Sequence, residues 1–190
     1  MTPIFGIMAS SISGSKSSTT AYESIATTTV GSGGTSSISF TSIPSTYTHL
    51  QVRGIVRDNR ANSGNGSYAD LTFNNNSSSN SYHQLYGNGT SALSAGYSGL
   101  SAIEFTRIAD GGATSGVFSA FTMDILDYAN TNKYKTIRTL AGYDNNGSGA
   151  IYLWSGLWTA TNAITTITIT DSGGTLFSQY SKFALYGIKG

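Results

Sequence analysis

The sequence predicts an all-β protein: a jelly-roll-like antiparallel β-sandwich with an extended N-terminal arm. Three observations predict it. Apolar and polar residues alternate over short runs, the period of a strand with one buried face. Clusters of Gly, Asn, Asp and Ser separate those runs, and these residue types tolerate tight turns. No apolar 3.6-residue period persists over three turns with caps at its ends, so no helix is expected. About eight to ten strands fit between the turn clusters, the number a jelly-roll or Greek-key sandwich uses.

Residues 1–20 differ from the rest. Ile4, Phe5, Ile7 and Met8 make a small apolar cluster, and a polar, low-complexity stretch follows it. The segment is expected to be an arm whose apolar end docks on a neighbouring subunit, with a frayed terminus as the competing reading. The sandwich domain then takes residues 21–190. Met8-Ala9-Ser10 resembles a chain beginning, so Met8 is an alternative start to Met1.

From residue 21 the pattern is β. Residues 27–30 are β-branched and stop at Gly31-Ser32-Gly33-Gly34. Residues 36–41 carry Ile38 and Phe40 at alternate positions before Pro44 ends the run. Residues 47–57 form the clearest strand, with Leu50, Val52, Gly54 and Val56 on one face and His49, Gln51, Arg53 and Arg57 on the other. Ala69, Leu71 and Phe73 share a face in the strand 68–73. Residues 82–86 suggest an edge strand or loop segment, and 87–99 are Gly/Ser-rich. Strands are expected at 100–108, 116–128, 134–143, 150–158, 164–170 and 182–188. Of these, 116–128 is apolar on both faces in places and should be central.

Composition narrows the function. Charged residues are 10% of the chain and the formal net charge is +1. Ser, Thr, Asn and Gly supply roughly half of it, far above ordinary usage. The scattered Lys and Arg form no basic face, so nucleic acid is not an expected partner. A near-neutral, Ser/Thr-rich surface resists association poorly and suits a protein that packs against neighbours. Cysteine is absent, which removes disulfides and thiolate metal sites. No apolar run is long enough for a membrane-spanning helix, and the N-terminal segment lacks the basic region and long apolar core of a secretory signal, so a soluble, unprocessed chain is expected.

Catalytic and metal chemistry find little support. His49 and His83 have no acid at useful spacing, and neither sits in a metal-ligand pattern. Asp124 and Asp127, three apart, point to opposite faces of a regular strand, a poor start for an acid/base pair. Asp70, Glu23 and Glu104 are isolated in sequence, so glycoside hydrolysis is not favoured. The loops that begin at Asp58 and at Asp144 carry oxygen ligands without the alternating acids and closing Glu of a strong calcium loop, and are expected to be turns. The Gly-rich segments lack the Lys-Ser/Thr ending of a phosphate loop. The expectation is no enzyme, no cofactor and no metal.

The most unusual stretch is 151–158. Ile151, Leu153 and Leu157 take one face; Tyr152, Trp154 and Trp158 take the other. Such a strand is either central in a sandwich or covered by a partner. Tyr152, Trp154 and Trp158 are therefore candidates for core, for an intersubunit contact, and least of all for a sugar-stacking platform. With Ile4, Phe5, Ile7 and Met8 they make up the candidate assembly contacts.

Residues 37–53, Ser-Ile-Ser-Phe-Thr-Ser-Ile-Pro-Ser-Thr-Tyr-Thr-His-Leu-Gln-Val-Arg, resemble a segment that recurs in tailed-bacteriophage virion proteins. The ending 181–189, Ser-Lys-Phe-Ala-Leu-Tyr-Gly-Ile-Lys, is similar to their C-terminal strand, and Tyr22-Glu23-Ser24-Ile25 with its following Thr run fits too. The similarity covers the first third and the last ten residues. It implies a β-sandwich carried on the virion and assembled in the bacterial cytoplasm: a capsid decoration (cement) protein that bridges neighbouring subunits. The implied partners are the major capsid protein or other virion proteins, and further copies of the chain as a dimer or trimer. The alternative is a tail or receptor-binding protein whose loops touch a host glycan.

Overall fold

The computed structural model describes residues 20–61 and 66–190. Twelve strands run through them: β1 (Tyr22–Thr29), β2 (Ser37–Phe40), β3 (His49–Val56), β4 (Ser67–Phe73), β5 (Asn80–Gly87), β6 (Ala92–Leu100), β7 (Ile103–Ile108), β8 (Ser119–Leu126), β9 (Lys135–Asp144), β10 (Gly149–Trp158), β11 (Ile167–Asp171) and β12 (Lys182–Ile188). They form two antiparallel sheets packed as a β-sandwich. The larger has eight strands in the order β1-β12-β3-β8-β9-β10-β5-β6, and the smaller has four in the order β2-β11-β4-β7. No helix occurs among the described residues. The expected arm, with Ile4, Phe5, Ile7 and Met8, lies outside the described residues except for Thr20.

Alternation in sequence becomes the inner and outer faces of the sheets. Leu50, Val52 and Val56 of β3 and Met123 and Ile125 of β8 have no solvent exposure, and neither do Leu71 of β4, Ile103 and Phe105 of β7, and Ile167 and Ile169 of β11. Ring contacts bridge the layers: Phe73 meets Trp158 at 5.6 Å and Phe105 meets Phe121 at 5.2 Å between centroids. Strand β8 lies between β3 and β9, the central place its two apolar faces predict. Gly156 makes room in this core, because a Cβ there would stand 2.5 Å from Ile103 Cγ2 and 2.8 Å from Ile137 Cγ1.

The 82–100 region departs from expectation. Residues 82–86 belong to an interior strand, β5, paired with β10 on one side and β6 on the other. The Gly/Ser-rich stretch, which the sequence assigns to no strand, carries most of the edge strand β6, and the expected strand 100–108 begins only at Ile103. The reason is that β6 extends past the smaller sheet. Seven of its nine residues are exposed, so backbone pairing holds it without a buried face to leave an alternating pattern.

Turn chemistry fixes the hairpins. Between β9 and β10, Asn146 (φ 57°) and Gly147 (φ 94°) take left-handed conformations, and Asp144 Oδ1 accepts the Gly147 N–H at 2.8 Å. The Asp144 loop is thus the plain turn its sequence suggests. Elsewhere a single side chain fastens a long loop. The Arg57 guanidinium donates to the carbonyls of Thr114 (2.8 Å), Val117 (3.0 Å), Ala113 (2.8 Å) and Gly111 (3.3 Å). The buried Lys135 ammonium does the same near the β8–β9 connection, donating to the carbonyls of Asn130, Lys133 and Thr161. Burial lowers the pKa of Lys135.

Candidate assembly surface

Strand β10 carries one of the two sequence-predicted contact sets, Tyr152, Trp154 and Trp158. Tyr152, Trp154 and Trp158 are 2%, 0% and 2% exposed, with Trp154 edge-on to Tyr68 and packed on Tyr82 and Tyr152. Of the readings weighed for these three residues, their burial is that of core. Side chains facing the small sheet and its flank have no surface left for a partner or a sugar ring. At ~25 cal/mol per Å², burying each indole contributes about 5 kcal/mol gross to folding. The other face of the strand is the exposed one: Ile151 is 67% and Leu153 45% accessible.

That face belongs to a broad outer surface of the eight-stranded sheet, ordered in rows by the strand register. One row runs Ile55, Ala120, Gly142, Ile151, Gly87 across β3, β8, β9, β10 and β5. The next runs Arg53, Thr122, Leu140, Leu153, Leu85, Ser94 and ends on β6. Ile55, Leu85 and Leu140 are exposed by 55%, 51% and 61%. The small residues between these apolar side chains leave shallow hollows, one at Ala120, Leu140, Gly142 and Ile151, another at Leu85, Ala95, Gly96, Arg138 and Leu153. With Ile151 and Leu153, the five large side chains expose roughly 500 Å² of apolar surface, the size of patch that on a monomer is often functional.

A third row is polar: Tyr186, Gln51, Asp124, Arg138, Ser155, His83. Its groups satisfy one another. Asp124 accepts from Gln51 Nε2 at 2.7 Å and from Arg138 at 3.0 Å. Gln51 Oε1 accepts from Arg53 Nε at 2.7 Å and from the Tyr22 hydroxyl. Arg53 lies over the rings of Tyr22 and Tyr186, 5.2 and 5.6 Å from their centroids. Desolvation raises the Tyr22 pKa. The row is a stiff, neutralised ladder bordering the apolar rows.

Two pairs of the residues weighed for catalysis come together, His49 with Asp127, 3.6 Å between Nδ1 and Oδ1, and Asp70 with Glu104. His49 Nδ1 accepts the Asp127 backbone N–H at 2.9 Å, and Asp127 also pairs with Lys133 at 2.6 Å. The Lys133 bond holds the Asp127 carboxyl below its usual range. Asp124 is in the outer ladder, whereas Asp127 lies past the end of β8 at φ 48°. His83 packs on Gly96, where an added Cβ would stand 2.4 Å from its ring. Asp70 and Glu104, unremarkable in sequence, face each other across β4 and β7. Glu104 accepts the Tyr82 hydroxyl, and Asp70 Oδ1 is buried without a partner. Burial, then Glu104 and Asp171, push the Asp70 carboxyl up to about 6.

No family model matches the chain, and no curated protein matches it.

Proposed function

We propose that this chain is a virion structural protein, a capsid decoration protein that stabilises a phage shell by bridging neighbouring subunits. The observation that carries the reading is the outer face of the eight-stranded sheet, where Ile55, Leu85, Leu140, Ile151 and Leu153 stand exposed on a rigid frame. A standard interface buries about 800 Å² per partner with an apolar centre and a polar rim. The two apolar rows supply the centre, and the Gln51–Asp124–Arg138 ladder supplies one side of the rim. Low charge keeps desolvation of the contact inexpensive, and many such contacts act together on a shell. In this reading the sandwich is a jelly roll, with β2-β11-β4-β7 packed on the inner face of the eight-stranded sheet, β7 against β9 and β10, and with the outer face of the larger sheet as the contact platform. The resemblance of residues 37–53 and 181–189 to segments of tailed-phage virion proteins points to the same class. No catalytic step is part of the proposal.

The test is incorporation into particles of the encoding phage. The wild-type protein is expected at hundreds of copies per particle, and Leu140→Asp with Leu153→Asp should fold yet be missing from purified particles. A count of a few to a few dozen copies would move the protein to the tail. Full incorporation of the double variant would remove the outer face from the mechanism. Deleting residues 1–20 tests the arm separately: a folded, soluble protein that no longer joins particles is expected, and normal incorporation would exclude a docking role for Ile4, Phe5, Ile7 and Met8.

A further inference from the structure

At one end of the sandwich, the chain leaving β3, the start of β4 and the end of β11 bring three oxygen-bearing side chains together. Asp58, Ser67 and Asp171 are 0%, 1% and 5% exposed. The Asp58 carboxyl touches both the Asp171 carboxyl and the Ser67 hydroxyl. Their hydrogen bonds can be assigned atom by atom. Asp58 Oδ1 accepts the Arg60 N–H at 3.0 Å. Asp171 Oδ1 accepts from the N–H groups of Gly173 (2.9 Å) and Thr175 (3.1 Å) and from the Thr175 hydroxyl (2.9 Å). Asp58 Oδ2, Asp171 Oδ2 and Ser67 Oγ remain, buried and with no hydrogen-bond partner other than one another.

Two touching buried carboxylates repel strongly unless a proton or a positive charge lies between them. Among the described residues, no Lys or Arg forms an ion pair with either one. The three open oxygens are hard donors, without the nitrogen or sulfur that zinc prefers. We propose that Asp58, Asp171 and Ser67 bind a calcium ion through these atoms. Among the described residues no three of His, Cys, Asp and Glu gather at one point, so the third side-chain ligand is a hydroxyl. The remaining coordination positions fall to other oxygens, as calcium's flexible shell of six to eight allows. With two carboxylates the expected dissociation constant is on the order of 0.1–1 mM, in the range of extracellular modules. The ion would tie the end of β11 to the β3–β4 connection.

The test uses the full chain, treated with EGTA, dialysed at pH 7.5 and titrated with CaCl2. At 5 mM CaCl2 the Tm is expected to rise by about 3–6 °C, from mass action on a roughly tenfold excess over the dissociation constant. Asp171→Asn should abolish the rise. Ser67→Ala, which keeps both carboxylates and removes one small polar group, should weaken calcium binding several-fold by calorimetry. A wild-type Tm indifferent to calcium, with Asp58→Asn more stable at pH 8, would overturn the proposal and assign a shared proton to the pair. An equal calcium shift in wild type, Asp171→Asn and Ser67→Ala would place the ion elsewhere and overturn it as well.

Discussion

Asp70 makes the pH dependence of stability a direct test of the β4–β7 pairing. Its carboxyl sits opposite Glu104, with Oδ1 buried and unpartnered, and its pKa rises from an ordinary 3.8 to about 6. The folded state therefore holds this proton more tightly than the unfolded chain. Its contribution is fully present below pH 3.8 and is lost as pH rises through 6. A shift of about two units at 1.36 kcal/mol each sets the loss at ~3 kcal/mol by pH 8. Asp70→Asn keeps the shape and removes the titration. The variant should be about as stable as wild type at pH 4 and more stable at pH 8, with the difference growing by up to ~3 kcal/mol between them. Urea denaturation at pH 4, 5, 6, 7 and 8, in EGTA so that the neighbouring Asp171 carries no added cation, measures both curves. Parallel curves across that range would refute the reasoning, since they would mean that Asp70 keeps an ordinary pKa beside Glu104.

Two further outcomes follow from packing and hydrogen bonding. Lys135→Met should lose about 3 kcal/mol in urea denaturation, because the carbonyls of Asn130, Lys133 and Thr161 are left without their donor; a loss under about 1 kcal/mol would show that those carbonyls find other partners. Gly156→Ala should cost about 1–3 kcal/mol, because the new methyl overlaps Ile103 and Ile137 in the core. An unchanged or higher urea midpoint would mean that the two sheets separate easily at that point.

The sequence displays the fold best where one face of a strand is fully buried and the other is wet. Leu50, Val52 and Val56 announce β3 with its correct inner face, and residues 182–188 give β12 without error. Strand β6 is nearly invisible, because backbone hydrogen bonds to β5 leave no mark on residue choice when neither face is covered. The 151–158 strand shows a different limit. Its two-sided apolar pattern is plain, but only the depth of the inter-sheet space shows that the indoles go inward and Ile151 and Leu153 outward. The outer rows were not foreseen at all, since Ile55, Leu85, Leu140 and Leu153 come from four strands and meet only through register. A large apolar residue alternating out of phase with its strand, such as Ile55 opposite Val52 and Val56, was the available signal. The Asp58–Asp171 contact had none, because the two residues are far apart in the chain.

The position of β12 has a kinetic consequence. The latest of the twelve strands in chain order is inserted between β1 and β3, so the partner that both require is made long after either of them. Until Lys182–Ile188 arrives, β1 has no neighbour and β3 presents an open edge to other nascent chains. Pairings this distant in sequence carry a large loop-closure cost and fold slowly. Cooperative closure of the sandwich must wait until β12 has been made, and a ribosome that stalls before Lys182 leaves a product with a gap inside its larger sheet, a ready substrate for aggregation and proteolysis.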